Sequence, residues 1–244
     1  MRPRRVGILG GMGPEATVLL MGKIIAAVPA ADDADHVPLI VDQNPQVPSR
    51  IRHLLEGTGE DPAPVLAAMA RRLEAAGAEA LAMPCNTAHH YAPAIRAAVG
   101  VPFLDMVALS VARAKTLAGD GGTVGLLASP AVRRVGLFDG PLAAAGLSAT
   151  YPPDEAALLG AIRAIKAEGP GKAARQALAA ASTALLAGGA RVQMIACTEF
   201  SLLADAVATG AEAFDTLDVL VEAVVGFALE RGADKTRSDE LIVT

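Results

Sequence analysis

The chain has 244 residues, enough for one large domain or two small ones, and its formal net charge of −5 argues against the basic face that nucleic-acid binding needs. Its apolar content is 52%, yet no window offers the ~18 uninterrupted apolar residues of a membrane helix, and two cysteines are too few for a disulfide framework. Aromatic residues make up 3% and tryptophan is absent, which weakens any stacking platform for bases or sugars.

The basic start, residues 1–5, runs into a short apolar stretch that breaks at Gly10-Gly11, unlike a secretory leader; we expect a reduced, cytoplasmic protein. Residues 6–9 read as a short buried strand ending in Gly10-Gly11-Met12-Gly13-Pro14, with Pro14 suited to the first turn of a helix over 15–27. Gly11 to Ala16 also fits a dinucleotide-binding pattern, but the next acidic residue, Asp42, lies 29 positions after Gly13 instead of ~20. The competing reading is a turn whose backbone around Met12 borders a small anionic ligand.

A strand over 37–41 leads into Asp42-Gln43-Asn44-Pro45-Gln46-Val47-Pro48-Ser49-Arg50, where two prolines hold the loop extended and so position Asn44 and Arg50. Either residue could be plain surface; the planar fork of Arg50 is what a carboxylate clamp requires. A polar linker, 56–62, and an amphipathic helix over 64–76 lead to Gly77 and an apolar run, 80–83. That run delivers Cys85 into the polar turn Cys85-Asn86-Thr87, followed by a helix over 90–99 and by Pro102-Phe103-Leu104.

The second half repeats the first. Residues 123–128 form a strand feeding Ser129-Pro130, as residues 5–9 feed Gly13-Pro14, and an apolar run over 192–196 delivers Cys197 into Cys197-Thr198-Glu199. Gly125 lies 118 positions beyond Gly7 and Cys197 lies 112 beyond Cys85, which suggests a duplicated unit too long for a solenoid repeat. Between these stretches a helix over 154–166 ends in Lys166-Ala167-Glu168-Gly169-Pro170, where Lys166 taken alone is an ordinary last-turn lysine. A final helix over 216–231 returns to the first lobe, and the polar residues 232–244 read as partly disordered.

The fold expected is α/β, with two pseudo-symmetric lobes of parallel-rich sheets flanked by helices, residues 1–104 plus 215–244 and residues 105–214, and an active site in the interlobe cleft. Each cysteine is presented, not buried, at the end of a strand and near a helix N-terminus, where free N–H groups bind carboxylates and lower thiol pKa values. We expect the two thiols to face one another across one small pocket.

Inverting a stereocentre at an acidic carbon needs a base on one face and an acid on the other. Thiols suit this exchange, because a pKa near ~8.5 lets one be thiolate while the other is thiol. Other readings are a zinc site from Cys85, His89, His90 and Cys197, a nucleophilic pair of Cys85 with His89 or His90, a nicotinamide-dependent oxidoreductase, and two inert core cysteines.

The segments Gly10-Gly11-Met12-Gly13-Pro14-Glu15-Ala16-Thr17, Asn44-Pro45 with Pro48 and Arg50, Pro84-Cys85-Asn86-Thr87-Ala88-His89, Lys166, and Cys197-Thr198-Glu199 resemble the aspartate/glutamate racemase family, specifically its aspartate racemase branch. The resemblance implies a pyridoxal-phosphate-independent enzyme with no cofactor or metal, a homodimer acting on a small amino acid, with aspartate leading and glutamate or another amino acid open. It implies Cys85 and Cys197 as paired acid and base, Arg50 and Lys166 near the ligand's carboxylates, and Asn86, Thr87 and Thr198 on the α-carboxylate. Met12, Asn44, Ser129 and Glu199 complete the candidate binding set. The sequence departs from the family where Pro48-Ser49-Arg50-Ile51 stands for the usual Pro-Asp-Arg-Thr and Ser129-Pro130-Ala131-Val132 for Thr-x-Gly-Thr. Both changes remove polar groups from ligand-facing loops.

Overall fold

The computed structural model of the chain describes residues 2–229. The first parallel sheet is built from β1 (Val6–Gly10), β2 (Leu39–Gln43), β3 (Ala80–Ala82) and β4 (Phe103–Leu104) in the order β2-β1-β3-β4. The second repeats it with β5 (Thr123–Ala128), β6 (Ser148–Thr150), β7 (Val192–Ala196) and β8 (Glu212–Asp215) in the order β6-β5-β7-β8. Around the first run α1 (Pro14–Ala27), α2 (Ala63–Ala75) and α3 (Ala92–Arg96); α4 (Met106–Ala118) leads out of it. The second carries α5 (Pro130–Arg134), α6 (Asp139–Ala144), α7 (Glu155–Glu168), α8 (Lys172–Ala187) and α9 (Thr198–Ser201), and α10 (Thr216–Leu229) leads out.

Strand–helix alternation buries both faces of each sheet, so the strands read as continuous apolar runs. Leu9 and Leu81 join one cluster with α2, while Val6 and Ile8 join another with α1 and α10. Leu127 and Ile195 pack under α7 and α8; Val124, Leu126 and Met194 pack under α4 and α6. The sequence offsets reappear as packing. Gly7 admits no Cβ because Leu73, Ala78 and Leu81 crowd it at 2.8–3.1 Å, and Gly125 is crowded at 3.0–3.3 Å by Leu185, Ala190 and Gln193, the residues 112 positions further on. The helix behind each central strand can approach closely only because that position has no side chain.

Each sheet's last strand leads into an aspartate that caps the next helix, Asp105 directly after β4 and Asp215 at the end of β8. Asp105 accepts from the N–H groups of Val107 and Ala108, and Asp215 accepts from Leu217. The capped helices cross over. Val107, Val111 and Ala114 of α4 belong to the second lobe's core, whereas Leu217, Leu220, Val221 and Val224 of α10 belong to the first lobe's core. The Arg4 N–H donates to the Ala228 carbonyl at 2.9 Å, and Arg113 pairs with Glu222 between the crossing helices.

Three local expectations are corrected. Residues 90–99 are not one helix: a 3₁₀ turn, Thr87–Tyr91, precedes the short α3, and Pro93, with no N–H to give, sits at the restart. The β2 strand starts at Leu39, since Pro38 offers only its carbonyl, which accepts from Val6 N–H at 3.1 Å. The loop before Arg50 is extended only as far as Gln43; it then turns at Asn44 and winds into a wide π-type turn, Arg52–Glu56, that Gly57 ends at φ 65°. The last helix is seen as far as Leu229, and residues 230–231 and the polar stretch 232–244 lie outside the described residues. Among the described residues no helix is long and apolar enough to cross a membrane.

Candidate active site

The carboxyl ends of the four central strands, β1, β3, β5 and β7, meet across a cleft of about 430 Å³. Gly11 to Glu15 follow β1, Cys85 and Thr87 follow β3, Ser129 follows β5, and Cys197 with Glu199 follows β7; all line the cleft. The Gly11 turn demands glycine twice over: its φ is +92°, and a Cβ would lie 2.4 Å from the Asn44 backbone. That contact sets the turn beside the loop carrying Val47 and Arg50, which line the cleft as well.

Both thiols line this cleft, but neither is presented as the sequence suggests: Cys85 is 8% exposed and Cys197 5%. Cys85 leaves β3 through a tight turn at Pro84, its N–H donating to the Met83 carbonyl at 2.9 Å. Cys197 donates through Sγ to Glu199 Oε2 at 3.1 Å, and the other oxygen of Glu199 pairs with the Lys166 ammonium. Burial first, and then the Glu199 charge and hydrogen bond, push the Cys197 thiol well above its ordinary value; Lys166 opposes this and does not prevail. The expectation of a lowered thiol therefore fails at Cys197, because burial and then the adjacent Glu199 carboxylate raise it, and α9 is only a four-residue turn. Burial pulls the Lys166 ammonium down, but Glu199, followed by the two thiols, more than offsets it, and its pKa stands above the usual value.

Of the other predicted residues, Met12, Arg50, Thr87, Ser129, Lys166 and Glu199 line the cleft. Arg50 is held by its own loop: Nη1 donates to the carbonyls of Val47 at 3.2 Å and Pro48 at 3.0 Å. Ser129 faces a second task, accepting from Ala131 N–H at the start of α5. Asn44, Asn86 and Thr198 do not line the cleft. Asn44 accepts from Gln46 N–H at 3.0 Å, so its side chain shapes the loop. Asn86 donates to Thr216 Oγ1 at 2.9 Å, and Thr216 donates in turn to the Ile195 carbonyl at 3.0 Å, tying the Cys85 turn to the start of α10.

Several lining residues carry no signal in a motif. Ile162 and Arg163 come from α7, one turn or less before Lys166, and Arg163 pairs with Glu56 of the opposite lobe at 2.9 Å. Ile51 lines the cleft and packs against the second lobe's core although its own segment belongs to the first. Tyr91, outside the cleft lining, has its phenol pushed up to about 12, first by burial, and its hydroxyl meets His53 Nδ1 at 2.6 Å.

The rival chemistries lose their residues to other partners. His89 has both ring nitrogens engaged, Nδ1 with the Cys85 carbonyl at 2.9 Å and Nε2 with the Met106 N–H at 3.2 Å, and burial pulls its pKa down. It is a neutral strut and neither a base for Cys85 nor a metal ligand. His90 is exposed, edge-on to Tyr91. No group of three or more His, Cys, Asp or Glu among the described residues is arranged to hold a metal ion. Asp42, the acidic residue of the dinucleotide pattern, is paired with Arg72 at 2.7 Å.

The chain is similar over nearly its whole length to the aspartate racemase of Picrophilus torridus, at 26% identity and a TM-score of 0.80, covering 98% of this chain and 99% of that one. An aspartate racemase homologue from Pyrococcus horikoshii OT3 matches at 24% identity and a TM-score of 0.70, over 94% of this chain and all of that one. Glutamate racemase from Francisella tularensis subsp. tularensis SCHU S4 shares the fold at 14% identity and a TM-score of 0.64, over 100% of this chain and 85% of that one. By sequence, the broad specificity amino-acid racemase RacX of Bacillus subtilis (strain 168) is 32% identical over 106 residues, 42% of this chain. That match spans 45% of RacX, so it covers less than half the length of the curated relative. The Asp/Glu/Hydantoin racemase model matches residues 9–224, from the end of β1 to well inside α10, and the chain belongs to that family.

Proposed function

We propose that the protein racemises an α-amino acid by two-base proton transfer, with Cys85 and Cys197 on opposite faces of the α-carbon and no pyridoxal phosphate or metal. The observation that carries this reading is the pairing of the two cysteines, 112 positions apart, at matching strand ends on one cleft. One thiolate removes the α-proton; the opposite thiol delivers a proton to the other face of the carbanion; the roles exchange in the reverse direction. Glu199 holds the proton of Cys197, and Lys166 balances the carboxylate so that the sulfur is not flanked by an unpaired charge. The carbanion is stabilised where cations face the substrate's carboxylate, and Arg50 and Lys166 are the cleft's candidates. Aspartate is the first substrate to try, from the motif resemblance and from what the Picrophilus relative is named for; glutamate is the second. The same reading takes residues 1–104 plus 215–244 and 105–214 as the two structural units of a cytoplasmic homodimer.

The test is α-proton exchange in deuterium oxide with both enantiomers of each amino acid. Cys85→Ala and Cys197→Ala should each abolish racemisation in both directions, and any residual exchange should favour opposite enantiomers in the two variants. Full racemisation by Cys197→Ala would end the paired-thiol mechanism.

A further inference from the structure

The cleft's chemistry is lopsided. Four aliphatic side chains from both lobes line it: Met12 behind β1, Val47, Ile51, and Ile162 of α7. Ile162 is 1% exposed within the second lobe's core, and Ile51 packs against that same core, so the two form one apolar wall across the lobe boundary. Among the described residues, two of the four cations lining the cleft are already paired with carboxylates. Lys166 is held by Glu199 and Arg163 by Glu56, while Arg50 has Nη1 fixed on two carbonyls and keeps its other N–H groups for a single carboxylate. Arg52, the remaining lining cation, is exposed. Every α-amino acid brings an α-carboxylate that needs one cation; a dicarboxylic one brings a second charge, which would have to break an existing pair or reach the exposed Arg52. A volume of about 430 Å³ also lies in the range that accommodates ligands much larger than aspartate.

We propose that the side-chain subsite is the apolar wall of Met12, Val47, Ile51 and Ile162, and that it takes neutral aliphatic or thioether side chains of the size of leucine and methionine. This inference rests on the racemase reading above and specifies its substrate class. Burial of a side chain against the wall desolvates apolar surface on both partners, whereas a carboxylate placed there loses water and has only the solvent-exposed Arg52 to reach for.

The experiment measures kcat/KM for leucine, methionine, aspartate and glutamate in both directions by α-proton exchange in deuterium oxide, with the unmodified protein and with Ile51→Thr and Ile51→Val. Leucine or methionine should be racemised faster than aspartate. Ile51→Thr, which puts a hydroxyl into the wall, should lower the leucine-to-aspartate ratio about tenfold, the discrimination that one methylene supplies in an apolar pocket. Ile51→Val should keep most of the preference, which a mere loss of folding would not do. Racemisation of aspartate or glutamate alone, or an unchanged ratio in Ile51→Thr, overturns the apolar subsite and leaves the racemase reading in place. Absence of exchange with every α-amino acid overturns both.

Discussion

Cys197 donates a hydrogen bond to Glu199 Oε2 at 3.1 Å, and the residue 112 positions earlier, in the same place behind Cys85, is Thr87. The lobes therefore differ beside the sulfur: Cys197 donates to a carboxylate that raises its thiol, and the equivalent position behind Cys85 is a threonine. With limiting iodoacetamide near neutral pH, Cys85 should be alkylated ahead of Cys197, read by peptide mass spectrometry. Glu199→Gln removes the charge that adds to burial in raising the Cys197 thiol, and should speed its alkylation. Preferential labelling of Cys197 in the unmodified protein would contradict this polarity.

Arg50 is positioned by two backbone carbonyls, so its remaining N–H groups are pre-oriented. Arg50→Ala should lower kcat/KM by an amount equivalent to about 2–4 kcal/mol, the loss of a charge-assisted pair. Lysine should not restore it, because a point charge on a flexible stem cannot hold both carbonyls and a carboxylate. Steady-state kinetics of the two variants decides; rescue by Arg50→Lys would mean that charge alone matters.

Asp215 is buried at 5% exposure, accepts from Ser201 Oγ at 2.9 Å and from Leu217 N–H at 2.8 Å, and its second oxygen has no partner among the described residues. Burial raises its carboxyl from the ordinary 3.8 to about 6, and Asp218 adds to this while the two hydrogen bonds and Lys23 oppose it. Because the folded value is the higher one, its contribution to stability is full below pH 3.8 and is lost as the pH rises to about 6. The loss is on the order of 3 kcal/mol. Urea unfolding from pH 4 to pH 7 should show this slope in the unmodified protein and not in Asp215→Asn; parallel curves would exclude the carboxyl as its source.

Gly7→Ala forces a methyl against Ala78 and Leu81 at under 3.0 Å, whereas Gly125→Ala meets its nearest neighbour at 3.0 Å. Overpacking of this kind costs roughly 1–3 kcal/mol. The first substitution should therefore lower the urea midpoint more than the second, and the reverse order would show that the two lobes relax differently from their static packing.

Much of this architecture is written in local sequence. The offsets of 118 and 112 between Gly7 and Gly125 and between Cys85 and Cys197 recur as matching strand pairs, Val6 with Ala80 and Val124 with Val192. Strands buried on both faces leave an uninterrupted apolar run followed by a turn, and such runs stand out at any position in the chain. The site is less legible because its partners are distant in sequence. Asn86 sits beside Cys85 in every reading of the motif, yet its amide is turned to Thr216, 130 positions away, and Thr198 is 1% exposed and absent from the cleft wall. Ile162 and Arg163 reach the cleft because of how α7 is packed, which no spacing reveals. The His89 ring looks like a base in the sequence and is a strut in the fold, since its neighbours are a backbone carbonyl and the first N–H of α4.

The exchange of α4 and α10 between lobes bears on how the cleft can open. The chain leaves the first sheet at Asp105-Met106 and the second at Asp215-Thr216, and both passages are fastened to the sulfur-bearing turns, the first through His89 and the second through Asn86 and Ser201. If the lobes rock, these two passages are the fulcrum, and atoms beside a fulcrum travel least. The outer rim, where Glu56 meets Arg163, would swing widest and admit the amino acid, while the spacing of Cys85 and Cys197 changed little. A jaw hinged at its teeth in this way can release product without losing the geometry that made it.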